Sequence, residues 1–247
     1  MPDTKEIPDQ KPTGGELVRL AWDSQFFGFE VARWQPPGTL INAAQELVSL
    51  AKREKVRLVY WLTPQDGAVQ EAADAVGARL VDRKVTYVCD TGHRPSSVSA
   101  AIRLTSTKTD RLLSLALQSG EYSRFRVDEQ MPTDSFKRLY SAWLDASLSG
   151  AIAREVLVFQ DGAEELGFIT LGVKNARLDI GLLAVDLSAR GKGIGKTLVD
   201  TSFQRASSWG YSQVQVVTQE ENVRACRFYE ALGFKVAQVE HVYHLWL

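Results

Sequence analysis

Apolar and polar positions along this chain switch between a period of two and a period of about 3.6 residues, and the order of the switches predicts the elements. A short strand with a loop at 23–29, a strand at 31–34, a helix at 41–55, a strand at 57–62, a helix at 68–76 and a strand at 84–89 are expected first. The stretch 91–99 carries Gly, Pro and three serines and reads as a linker. Beyond it come a strand at 102–104 and a helix at 110–118 with Leu112, Leu113, Leu115 and Ala116 on its apolar side. A loop at 120–131 precedes a helix that starts at 132–134 and presents Phe136, Leu139, Tyr140 and Trp143 at helical spacing. Two strands, 156–159 and 166–171, joined at Asp161-Gly162, predict a hairpin. The rest predicts a strand at 177–185, a helix at 196–209, a strand at 213–218, a helix at 222–232 and a strand at 236–245. The expected class is α/β (α+β): a mixed central sheet flanked by helices, divided into a disordered tail 1–15, a first unit 16–90, the linker 91–99 and a second unit 100–247.

Composition narrows the function classes. At 247 residues and 45% hydrophobic content the chain can bury a sizeable core, and a net charge of −1 gives no basic excess to argue for nucleic acid. No apolar run is long enough to span a bilayer, and the polar start does not resemble a signal peptide. Cys89 and Cys226 are too few for a zinc site or a disulfide framework, so no metal and a reducing, cytoplasmic setting are expected; a homodimer stays open.

The chemistry concentrates at 182–195, Leu-Leu-Ala-Val-Asp-Leu-Ser-Ala-Arg-Gly-Lys-Gly-Ile-Gly, where an apolar run stops at Asp186 and three alternate glycines open a helix. Glycines let backbone approach a ligand, and unpaired N–H groups at a helix start favour an anion, so a phosphate or pyrophosphate is implied. A Walker A loop would need glycine where Arg190 stands, and a dinucleotide fingerprint would need one where Lys196 stands. Arg190-x-x-Gly193-x-Gly195 resembles instead the loop of the GNAT family of N-acetyltransferases. A second motif agrees: Asn222-x-x-Ala225-x-x-x-Tyr229-x-x-x-Gly233-Phe234. So does the element order of the second unit.

The resemblance implies acetyl-CoA as co-substrate, with its pyrophosphate at Arg190, Gly191, Lys192, Gly193, Ile194, Gly195 and Lys196 and its pantetheine beside Asn222 and the backbone of Leu182, Leu183, Ala184 and Val185. In this family the strand at 182–185 splays from its neighbour, which makes Leu183 and Val185 the expected backbone partners. Tyr229, seven residues after Asn222, lies within about 20° of it around the helix and is implied as the general acid toward the leaving thiolate. Asp179 is expected to share a strand face with Gly181, Leu183 and Val185 and so to point toward the cleft. His93 falls in the linker; His241 shares the face of Tyr243 and His244 lies opposite, and neither is assigned as a base.

The first unit echoes half of the second. Each copy runs strand, Thr (Thr63 or Thr218), helix, Gly (Gly77 or Gly233), then a strand carrying Tyr ten residues after its Gly (Tyr87 or Tyr243). The first copy lacks the glycine loop and has no counterpart of Asn222 or Tyr229, so it is expected to support the acceptor side and bind no cofactor. A truncated half ahead of a complete unit resembles the TDP-fucosamine acetyltransferase branch of the family, as do the stretches at 22–28, 123–126 and 180–184. That branch implies a nucleotide-linked 4-amino-4,6-dideoxyhexose as acceptor. Arg124 and Arg126 are candidates for its diphosphate, and Phe27, Phe125 or Trp22 for stacking on the sugar or base, with Asp179 beside them. Another small amine or a protein N-terminus as acceptor, or a non-catalytic acyl-CoA sensor, are the alternatives.

Overall fold

A computed structural model of the chain describes residues 15–35, 41–64, 67–92 and 99–247. Most of the tail and of the linker, His93 included, lies outside the described residues. The first elements are β1 (Leu17–Arg19), α1 (Ala21–Phe27), β2 (Val31–Trp34), α2 (Ile41–Arg53), β3 (Leu58–Pro64), α3 (Gly67–Ala75) and β4 (Arg79–Asp90). They are followed by β5 (Ile102–Leu104), α4 (Asp110–Ser119), α5 (Arg124–Val127), α6 (Ser135–Leu148), β6 (Glu155–Asp161), β7 (Glu164–Lys174) and β8 (Arg177–Val185). A 3-10 turn (Leu187–Ala189), α7 (Ile194–Ser208), β9 (Gln213–Gln219), α8 (Val223–Ala231) and β10 (Lys235–Trp246) complete the chain.

Two stretches expected as loops contain helices. Residues 21–27 form α1 because Trp22 and Phe26 stack one turn apart, at 5.0 Å, and Gly28 closes the helix in a left-handed conformation with its N–H on the Ser24 carbonyl. Within 120–131, Ser123 starts the single turn of α5 by accepting the Phe125 N–H.

Among the described residues the ten strands join one sheet in the order β1-β2-β3-β10-β4-β9-β8-β7-β6-β5. The strand that ends the second unit, β10, therefore lies between β3 and β4 of the first, antiparallel to both, while β4 lies between β10 and β9. The interleaving has an approximate two-fold relation. Thr63 pairs with His241 as Thr218 pairs with Val85, and the two bulges in the β4–β10 ladder fall at Val81 and Ala237, each four residues after Gly77 or Gly233. Those glycines have φ of 75° and 88°, which an L side chain rarely adopts, so each helix ends in the same way before the same bulge.

Side-chain alternation divides the helices. On one face α2 and α3 pack over Val59, Trp61, Tyr243 and Leu245, and α7 and α8 pack over Val85, Tyr87, Leu171, Ile180 and Val216. On the other, α4 and α6 cover Val156, Val158, Phe168 and Ala184, while α1 and α5 join α6 over Val31, Leu58 and Tyr60. Between these helices the second face of β9, β4 and β10 carries Gln215, Gln219, Asp82, Lys84, Thr86 and Glu240. The floor there is polar.

Candidate active site

The parallel pair β8–β9 is in register from Leu178↔Val214 to Ile180↔Val216 and goes no farther. The cause is local. On the opposite edge Ile180 pairs with Leu171 but Leu183 with Ile169, so β8 holds one extra residue and bends. Thr170 Oγ1 stabilises the bulge by accepting the Leu182 N–H at 2.8 Å, and a Cβ at position 181 would lie 2.8 Å from that oxygen, which is why glycine stands there. The Asp186 N–H donates to the Leu166 carbonyl, so by antiparallel alternation Ala184 also bonds to β7 while Leu183 and Val185 turn their N–H and C=O groups toward the opening. Of the four residues expected to meet pantetheine through their backbone, these two face the gap.

The loop that follows is built by short contacts. Asp186 accepts the Ser188 N–H at 3.0 Å and its hydroxyl at 2.5 Å and pairs with Arg111 at 2.9 Å. The Ser188 bonds, with the charge of Arg111, hold its carboxyl below the usual carboxylate range. Arg190 Nε donates to the Val185 carbonyl at 3.0 Å, folding the loop back on the end of β8. Gly191 and Gly193 have φ of 80° and 81°, and Gly193 caps α7. Since the Thr197 N–H is the one that reaches the Gly193 carbonyl, the N–H groups of Ile194, Gly195 and Lys196 sit in the first turn with no acceptor inside the helix. Lys192 is exposed, whereas Lys196 pairs with Asp200 at 2.5 Å. Gly195 lets α7 approach α8: a Cβ would stand 3.2 Å from the Phe228 ring.

On α8, Asn222 is the cap, accepting the Ala225 N–H at 3.2 Å. Tyr229 is buried among the rings of Tyr87, Phe228 and Phe234 at 6.0, 5.2 and 5.6 Å, and burial pushes its phenol well above the ordinary range. It is therefore a neutral hydroxyl throughout the physiological range, a state able to donate a proton.

The bulge corrects one expectation. An extra residue reverses the alternation, so Asp179 lies on the face of Thr170 and Phe168, opposite to Leu183 and Val185. Its carboxylate accepts from Gln215 Nε2 at 2.7 Å. The same face carries Arg124, whose guanidinium lies over the rings of Tyr60 and Phe125 at 5.0 and 4.4 Å and whose Nε is buried without a partner. Phe125 is buried, with Phe27 stacked against it at 6.0 Å; Arg126 is exposed and lies over Phe136 at 5.3 Å. Arg124 and Arg126 thus diverge. His244 is opposite in face to Tyr243 as expected, and its Nδ1 is 2.6 Å from the Asp128 carboxylate, which also accepts the Trp246 N–H. Burial alone would raise Asp128, but the bonds from His244 and Trp246 outweigh it and hold the carboxyl low; burial lowers His244.

Asp82 was not legible as a site residue. It is 4% exposed, its Oδ1 has no partner, and burial raises its carboxyl to about 6 against the opposing charges of Arg124 and Lys84. Its signal in sequence was an acid beside Arg83 and Lys84 in a strand, which a solvent-facing position would also explain.

A split strand pair, a loop with three N–H groups open to an anion and a buried phenol at the next helix lie together at this end of β8. Residues 119–234 match the family described as Acetyltransferase (GNAT) family. That stretch, from the end of α4 through Phe234, carries an acetyltransferase domain of this family. Among relatives of this chain, dTDP-fucosamine acetyltransferase of Escherichia coli O6:H1 is 25% identical over 227 residues, 91% of this chain and 96% of that protein. The spore coat polysaccharide biosynthesis protein SpsD of Bacillus subtilis (strain 168) is 28% identical over 138 residues, 56% of this chain and 47% of that protein. The chain thus aligns with about half of SpsD. A solved structure, a GCN5-related N-acetyltransferase from Sphaerobacter thermophilus, superposes with a TM-score of 0.58 at 14% identity, covering 93% of this chain and 75% of that one. It supports the fold.

Proposed function

We propose that this acetyltransferase moves the acetyl group of acetyl-CoA to the amino group of a nucleotide-linked 4-amino-4,6-dideoxyhexose, such as a TDP sugar, by direct attack, with Tyr229 as general acid. The observation that carries the acceptor is the extent of the match to dTDP-fucosamine acetyltransferase: it runs over both units, 91% of this chain, and so includes the first unit that supplies Tyr60 and Asp82 to the polar face. The cleft suits the co-substrate. Its pyrophosphate fits the N–H groups of Ile194, Gly195 and Lys196, with Lys192 free to approach and Arg190 and Lys196 able to exchange their present partners for phosphate oxygens. Pantetheine fits as an added strand against Leu183 and Val185, beside Asn222. The polar face across the gap then receives the acceptor, where Arg124, Phe125, Phe27, Arg126 and Asp179 are the candidate contacts.

In the reaction the amine nitrogen bonds to the thioester carbon, charge develops on the carbonyl oxygen, and the C–S bond breaks as sulfur is protonated. An N–H turned into the gap at Leu183 or Val185 is placed to stabilise that oxygen, and Tyr229 to protonate the sulfur. Tyr229→Phe tests this assignment. Turnover on a TDP-4-amino sugar is expected to fall about 10²–10⁴-fold with acetyl-CoA affinity by calorimetry unchanged. A rise in the Michaelis constant for acetyl-CoA with turnover intact would make the hydroxyl a cofactor contact, and unchanged kinetics would leave it a packing residue.

A further inference from the structure

We propose that Asp82 is the catalytic residue that takes the proton of the acceptor ammonium, a role that rests on the amine-acetylating reading above. The argument begins with register. β4 pairs with β9 as far as Lys84↔Gln219, so Asp82, two residues on, lies just past the end of β9, beside the open end of the cleft where β8 has already parted. Its side chain alternates with Val85 and Tyr87, which pack under α7 and α8, and so shares the other face with Lys84, Gln215 and Asp179. That is the sheet face opposite the helices that carry the glycine loop and Tyr229, and Asp82 lies buried on it.

The groups around it come from every neighbouring element. Arg124 approaches from α5, Lys84 from the same strand, Gln219 from the end of β9 as a hydrogen-bond donor and Glu221 from the residues after it; Tyr140 of α6 feels its charge. Lys84 is itself drawn to Glu240 of β10 at 3.6 Å, and Val242, the residue paired with Asp82 on that strand, is apolar. Nothing here neutralises Asp82 by a close ion pair among the described residues, and its buried Oδ1 is left without a donor. An uncompensated buried carboxylate oxygen is unfavourable for folding, and a cationic donor such as an ammonium group would satisfy it. Burial raising the carboxyl to about 6 leaves it mostly ionised at neutral pH yet basic enough to accept a proton.

The step balances. The ammonium N–H bond breaks and its proton passes to Asp82 Oδ1; the freed lone pair forms the C–N bond to the thioester carbonyl carbon. The C–S bond then breaks, sulfur keeps the electron pair and takes the Tyr229 proton, the second nitrogen proton restores Tyr229 through solvent, and Asp82 releases its proton to water. Amide, thiol and one free proton result.

Asp82→Asn is the test, with Asp82→Glu beside it. For any primary amine that the wild type acetylates, kcat/KM is expected to show an acidic limb near pH 6 that is absent in Asp82→Asn. In that variant the rate at pH 7 is expected to fall about 10²–10⁴-fold and to rise instead with the amine's own ionisation, with acetyl-CoA affinity kept and partial rescue by Asp82→Glu. A fall in rate with the limb unmoved would make Asp82 structural and overturn the proposal. Carboxyl 13C NMR reads the same group without turnover: a resonance titrating near pH 6, missing from Asp82→Asn, is expected, and its absence overturns the proposal. Should the wild type acetylate simple amines but no sugar nucleotide, the acceptor assignment fails while the pH profile still judges Asp82.

Discussion

At the scale of single residues, the site holds its reactive groups in states that folding disfavours. Asp82 has its carboxyl raised from 3.8 to about 6, so the folded chain binds a proton more tightly than the unfolded one between those values. The associated stabilisation is present below pH 3.8 and lost as pH rises through 6, leaving the ionised group destabilising at neutral pH by roughly 3 kcal/mol at most. Asp82→Asn is therefore expected to raise stability at pH 7 and to change it little at pH 4, measured by urea unfolding at both values. Asp128 behaves in the opposite sense. Its lowered carboxyl contributes stability above the unfolded value that is lost as pH falls through the folded one, and Asp128→Ala strands a buried partner on His244 and a half-buried donor on Trp246. A loss of about 2–4 kcal/mol in the same urea experiment is expected.

At the scale of elements, one extra residue in β8 makes the cleft. The bulge ends the pairing with β9, turns Leu183 and Val185 to the gap and leaves Asp179 on the opposite face. Thr170→Val keeps the shape and removes the hydroxyl that accepts the Leu182 N–H, so stability should drop by about 1–3 kcal/mol and acetyl-CoA affinity should weaken. Calorimetry on the folded variant checks it. Gly193→Glu strains a φ of 81° at the cap of α7 and puts a carboxylate into the phosphate cradle; loss of acetyl-CoA binding with the fold kept is expected, and unchanged affinity would move the pyrophosphate elsewhere.

At the scale of the whole molecule, the two sequence units exchange strands. Without the first unit β10 would lose both β3 and β4, and β9 would lose β4. Residues 100–247 produced alone are therefore expected to lack the cooperative unfolding transition of the full chain and to bind no acetyl-CoA, as circular dichroism and calorimetry can show. Co-production with residues 1–92 should restore both. A stable, binding fragment would mean that β10 can close against β9 instead.

How much of this was legible in the chain depends on how local each signal is. The strand at 177–185 and the glycine loop behind it are read directly, because apolar alternation and left-handed glycines act over a few residues. The helix α1 was missed although Gly28 and the Trp22–Phe26 spacing signalled it, since seven residues are too short for a periodic pattern to stand out. The repeat of Thr, Gly and Tyr in the two units carried the two-fold relation, and the matched bulges at Val81 and Ala237 express it in the ladder. The interleaving of β4 and β10 was not visible, because pairing partners far apart in sequence leave no periodic trace in either strand.

The sequence by itself determined the class of fold, the family resemblance and the conformation of the glycine loop, all of which rest on short-range geometry. Only the tertiary structure decided which carboxylates lie on the sheet face opposite Tyr229. A single bulge reverses alternation for Asp179, and the balance at Asp82, burial raising its carboxyl against Arg124 of α5 and Gln219 of β9, is set by elements brought together from across the chain. A carboxylate's solvation, and hence its chemistry, is a property of that surrounding volume.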